Sequence, residues 1–94
     1  MNRKVAVIPQ HGKSQISAAQ CRGARAMLGM TQQELAELSG VSPRAIADFE
    51  AENRKPINAT LAALQRALES AGVEFTNGGQ PGVKLIEKGK SRHA

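Results

Sequence analysis

Apolar positions follow a helical period from Ile16 to about Leu68 and a two-residue alternation beyond Gly72. In the first stretch Cys21, Ala24 and Leu28 predict one face of a helix that begins after Ser17, a good N-cap, and stops at Gly29, with Arg22 and Arg25 off that face. A second helix follows Thr31. Glu34, three residues later, completes a T-x-x-E capping box in which each side chain satisfies the other's free backbone amide. Leu35 and Leu38 are expected to face inward, and Gly40 to end the helix. Ser42-Pro43 restarts it, serine as N-cap and proline at the first helical position, where its missing N–H costs nothing. This third helix runs to about Ala51 and buries Ile46 and Phe49. Past the polar turn Asn53-Arg54-Lys55-Pro56, Asn58 is expected to cap a fourth helix whose Ile57, Leu61, Leu64 and Leu68 share a face, with Gly72 as its left-handed stop.

Beyond Gly72, Val73-Glu74-Phe75 and Val83-Lys84-Leu85-Ile86 predict two short strands around a glycine-rich turn. A lone hairpin is marginal in water, so it needs a surface to pack on. At the other end, Val5-Ala6-Val7-Ile8, closed by Pro9 and Gly12, fits a strand and an unstructured arm equally. The expected fold is mainly α, a compact bundle of four or five helices containing a helix-turn-helix and followed by a short C-terminal β-hairpin. Its parts are a basic arm over 1–15, the helix-turn-helix domain over 16–72, the hairpin over 73–87 and a basic tail over 88–94.

The spacing from Gln32 to Glu50 carries the most information. Counting Gln32 as the first place, Leu35 is fourth, Ala36 fifth, Gly40 ninth, Val41 tenth, Ile46 fifteenth and Phe49 eighteenth. Ala36 is small where two helices cross closely, and Gly40 turns the chain with positive φ. Leu35, Val41, Ile46 and Phe49 hold the crossing from inside, so the third helix projects its outer face away from the body, as a helix that enters a major groove must. Through Arg25-Ala26-Met27-Leu28-Gly29-Met30-Thr31-Gln32-Gln33-Glu34-Leu35-Ala36 and Val41-Ser42-Pro43-Arg44-Ala45-Ile46-Ala47-Asp48-Phe49-Glu50, the chain resembles the phage-repressor and Cro-like, or XRE, family of helix-turn-helix regulators. The likeness covers roughly Ile16 to Gly72 and implies a bundle of the lambda-repressor-like type.

By position, the resemblance implies that Gln32 and Gln33 hold phosphates at the start of the second helix. It puts Ser42, Pro43, Arg44, Ala45, Ala47 and Asp48 among the base-facing and groove-lining residues. Arg44 is the best specific reader, able to donate twice to guanine, and Asp48 either accepts from cytosine or holds Arg44 in place. Asn53, Arg54 and Lys55 are expected on backbone phosphates. In the family, an arginine in the place of Arg25 pairs with an acid in the place of Glu50, which makes that pair architectural. Such domains usually bind as dimers, so a homodimer on a palindromic double-stranded operator is expected, with Val73, Phe75, Val83 and Leu85 of the hairpin as the dimer contact.

Composition narrows the class further. The formal charge is +5, and it is uneven: Arg3, Lys4, Lys13, Arg22 and Arg25 precede any acid, Lys88, Lys90 and Arg92 close the chain, and Thr31 to Glu87 is net −3. Basic flanks permit a polyanionic partner without proving one, and Arg3 and Lys4 suit a minor-groove arm. A single cysteine, Cys21, allows no internal disulfide and reads as a buried inert thiol. With only His11 and His93 besides, no metal site or cofactor is expected. No apolar run approaches the roughly 18 residues of a membrane span, which points to a cytoplasmic protein without a membrane partner. No Ser, His and Asp set or phosphate loop supports an enzyme. With no separate ligand-sensing domain expected in 94 residues, a bacterial or phage repressor is the main reading. The alternative is the antitoxin of a toxin–antitoxin pair, which binds a toxin protein and autoregulates its operon.

Overall fold

The computed structural model describes residues 15–77 and 80–86; all but the last residue of the expected arm over 1–15, the Gly78-Gly79 turn and the chain from 87 onward lie outside the described residues. Within them the order is α1 (Ala18–Leu28), α2 (Gln32–Ser39), α3 (Pro43–Glu50), α4 (Asn58–Ala71), β1 (Val73–Thr76) and β2 (Gly82–Leu85). This is the mainly helical bundle with a terminal hairpin that the periodicity predicts.

Three helix starts are set by side chains. Ser17 Oγ accepts from the Gln20 amide at 3.1 Å while Gln20 Oε1 accepts from the Ser17 amide at 2.9 Å, a capping box with glutamine in the acid's place. Thr31 and Glu34 form the expected one at 3.0 and 2.9 Å. Ser42 Oγ accepts from the Ala45 amide at 3.1 Å, with Pro43 opening α3. The stops at Gly29 and Gly40 have φ of 65° and 79°, which a side chain would strain.

Three expectations fail. Asn58 does not cap α4: Ile57 holds the N-cap position without any side-chain cap, and Asn58 is the first helical residue, its Oδ1 accepting from Gln15 Nε2 at 2.7 Å. Ile57 is not on the inner face of α4 but 72% exposed, because as an extended cap residue it stands outside the helical rotation that aligns Leu61, Leu64 and Leu68. Leu38 is 59% exposed. The buried face of α2 runs through Leu35 and Ala36, and at ~100° per residue Leu38 falls about 60° past Leu35 on the side away from Ala36.

The core joins all four helices to the hairpin: Cys21, Leu35, Ile46, Leu64, Leu68 and Val73 are its largest fully buried side chains. The strands pair antiparallel in the register Val73 with Leu85, Glu74 with Lys84, Phe75 with Val83 and Thr76 with Gly82. Opposed residues share a face, so Val73, Phe75 and Val83 turn inward while Glu74 and Lys84 face water. The surface that the hairpin needs comes from α1 of the same chain. Gln20, 4% exposed, donates from Nε2 to the carbonyls of Gly82 at 2.9 Å and Thr76 at 3.2 Å, and to Asn77 Oδ1 at 3.4 Å, bridging the two strands at their last pair. At the other end the Ile86 amide donates to the Gly72 carbonyl at 2.7 Å.

Gln20→Leu keeps the bulk but removes both the donor to the two strand carbonyls and the acceptor of the Ser17 amide in the α1 cap. The expected loss is about 1–3 kcal/mol in chemical denaturation. Amide exchange should rise in β1 and β2 before it rises in α2 to α4, and unchanged protection of the strands would show that Gln20 is not their clasp.

Candidate nucleic-acid interface

α3 divides into two faces. Ile46, Phe49 and Glu50 lie inward and are buried, the first two because they are apolar. Glu50 is charged and only 4% exposed, so it requires partners. It has four donors. Arg25 binds it twice, Nε to Oε2 at 2.8 Å and Nη2 to Oε1 at 2.7 Å; Gln32 Nε2 donates to Oε1 at 3.0 Å, and Cys21 Sγ to Oε2 at 3.1 Å. Arg25 also donates from Nη1 to the Met30 carbonyl at 2.8 Å, and Arg22 to the backbone carbonyl of Glu50. One carboxylate thus joins the end of α3 to the middle of α1 and the start of α2.

The proton equilibria follow. Burial pushes the Glu50 carboxyl upward, but hydrogen bonds from Arg25, Gln32 and Cys21 and the charge of Arg25 outweigh it, so it titrates below its ordinary value. Bonding to Glu50 holds Arg25 more firmly protonated, against its own partial burial. For Cys21, burial, the hydrogen bond to Glu50 and the Glu50 charge raise the pKa, and Arg25 and Arg22 offset only part of this. The thiol therefore stays protonated and serves as a donor. Its burial is legible in the sequence; its partner is not, beyond the four-residue spacing that puts Cys21 one turn from Arg25.

The outer side of α3 presents Ser42, Pro43 and Arg44 exposed, with Ala45, Ala47 and Asp48 half-buried beside them. The Arg44 side chain is 84% exposed, and its Nε lies 3.5 Å from Asp48 Oδ2, one turn along the helix. The structure thus brings two expected base readers together. Asn53, Arg54 and Lys55 follow, all exposed. Their direction is set by a Schellman closure, in which the Glu52 amide donates to Phe49 and the Asn53 amide to Asp48, each at 2.9 Å. Glu52 fills the left-handed position at φ 62°, where glycine is usual. Gln33 is exposed at the start of α2, whereas the Gln32 side chain is taken up by Glu50.

On the hairpin the four expected dimer residues part company. Val73 is 2% exposed and belongs to the chain's own core, so it offers nothing to a second copy. Phe75 and Val83 pack partly against the same core, and only Leu85, 57% exposed, stands free. Among the described residues no helix is long and apolar enough to cross a membrane.

Compared with known families, residues 22–75 match the helix-turn-helix model, more than half of the chain. No curated protein matches it.

Because Glu50 titrates below its ordinary value, ionisation favours the fold. The gain is complete above about pH 4.5 and is lost as pH falls through the lower folded-state value. Glu50→Gln removes the counter-charge of Arg25 and is expected to cost about 3 kcal/mol near neutral pH. In urea titrations the gap between variant and wild type should narrow on acidification, and a gap independent of pH would remove Glu50 as the source of the acid sensitivity.

Proposed function

The chain belongs to the Cro-like, or XRE, family of helix-turn-helix DNA-binding regulators, and we propose that it is a repressor that reads a specific double-stranded site with α3 in the major groove. The observation that carries this reading is the division of α3: an inner face fixed through Ile46, Phe49 and Glu50, and an outer face whose one arginine is 84% exposed. A rigid helix that presents an exposed guanidinium beside a carboxylate suits a groove that displays both base acceptors and base donors.

In this reading Arg44 donates two hydrogen bonds to guanine O6 and N7, and Asp48, already beside it, limits its rotamers before DNA arrives. Ser42, Pro43, Ala45 and Ala47 line the groove without bulk. Gln33, the backbone at Gln32, and Asn53, Arg54 and Lys55 meet phosphates, setting register and salt dependence without reading sequence. A homodimer spans two half-sites about one helical turn apart. Its contact on the hairpin centres on Leu85, flanked by Phe75 and Val83. In sedimentation at micromolar concentration the wild type should be dimeric and Leu85→Lys mostly monomeric with its unfolding midpoint preserved; a monomeric wild type would end the dimer proposal.

The decisive measurement for DNA reading is a salt-series titration of wild type and Arg44→Ala on a selected site and on scrambled DNA. Arg44→Ala should lose about 1–3 kcal/mol on the selected site and approach the scrambled level. A wild type without preference for its site would point instead to a helix-turn-helix that serves only protein docking.

A further inference from the structure

The segment joining α3 to α4 breaks two local rules at one residue. Ile57 stands at the N-cap of a 14-residue helix, where Ser, Thr, Asp or Asn would accept a hydrogen bond from the first turn, and it supplies none. It is also, at 72%, the most exposed large apolar side chain among the described residues. The chain's own stability gains from neither feature. Departures from local preference of this kind collect at functional or strained sites.

The surroundings of Ile57 indicate the ligand. It lines a shallow cleft of about 290 Å³ with Ala45 of α3, Arg54, Lys55, Pro56 and Thr60. Two of these are cationic and none is acidic, and Ala45 makes the cleft continuous with the outer face of α3. A nucleic-acid strand alternates anionic phosphates with apolar deoxyribose C–H surface. Cations beside an exposed branched aliphatic match that alternation, and the family's DNA binding favours a strand over a peptide of mixed acidic and apolar side chains.

We propose that Ile57 is a DNA-contact residue that packs on the deoxyribose backbone of the strand whose phosphates meet Arg54 and Lys55. The inference rests on the DNA-binding reading above and adds a second kind of affinity to it. Phosphate contacts weaken steeply with salt because they release counterions. An apolar contact with sugar does not, and it carries no base preference. Ile57 therefore supplies affinity that persists at ionic strengths where the contribution of Arg54 and Lys55 has fallen.

The test uses Ile57→Ser in the full chain, because serine removes the apolar contact while supplying the missing cap. Thermal unfolding should show the variant at least as stable as wild type. Its affinity should be lower by roughly tenfold, equally on selected and scrambled duplexes, the effect of exposing a few carbons. The slope of log Kd against log salt should match wild type, whereas Arg54→Ala should lower that slope by about one. Ile57→Val, which keeps the branched contact, should retain most of the affinity. Unaltered binding by Ile57→Ser, a loss confined to the selected site, or a changed salt slope would each overturn the assignment. If wild type binds neither duplex the DNA reading itself falls; if wild type binds and Ile57→Ser binds equally well, only the role of Ile57 falls.

Discussion

Glu50 ends α3 with its carboxylate almost wholly removed from water, and a carboxylate in that position must be matched by donors or take up a proton. Arg25, Gln32 and Cys21 do the matching from two other helices. Because the donors converge on two oxygen atoms, the distances between α1, the start of α2 and the end of α3 are fixed together. Apolar packing of Leu35, Ile46 and Phe49 supplies most of the cohesion, but it tolerates small slides and rotations. The charged hub does not, since any slide leaves a buried charge short of a partner. A helix whose outer side chains are to keep one orientation gains from that intolerance.

The same logic explains how polar residues are divided along α3 and the segment after it. Those that turn inward are saturated by partners within the chain. Those that turn outward, Arg44, Asn53, Arg54 and Lys55, are exposed to solvent. Local departures from preference collect on the outer side, in the left-handed Glu52 and the uncapped, exposed Ile57. Stability is concentrated behind α3 and relaxed in the loop that follows it.

The hairpin shows how a marginal element is made part of a domain. Two strands of four residues have too little surface to hold together alone. Here Val73 enters the helical core, and the Gln20 side chain reaches across from α1 to the carbonyls where the strands part. Gln20 thereby joins the cap of the first helix to the last strand, so the two ends of the described chain are mutually supported. Using Val73 in this way also removes it from any intermolecular surface and leaves Leu85 as the free apolar residue of that face.

Taken alone, the sequence determined what depends on near neighbours. The Thr31–Glu34 box, the Ser42-Pro43 start, the glycine stops and the buried Leu35, Ile46 and Phe49 all follow from interactions within four residues or from a fixed helical period. The family likeness, which rests on that same local spacing, extended this to the pairing of Arg25 with Glu50. What only the tertiary structure decided lies where chain neighbours are silent. Cys21 and Gln32 as further donors to Glu50 and Gln20 as the clasp of the hairpin depend on residues 18 to 62 positions apart, and the burial of Val73 depends on the helices that cover it. Leu38 and Ile57 mislead for a related reason. Periodicity reports which side of a helix a residue occupies, but where the buried face ends and where the helix begins are set by what packs against it, and no local rule contains that information.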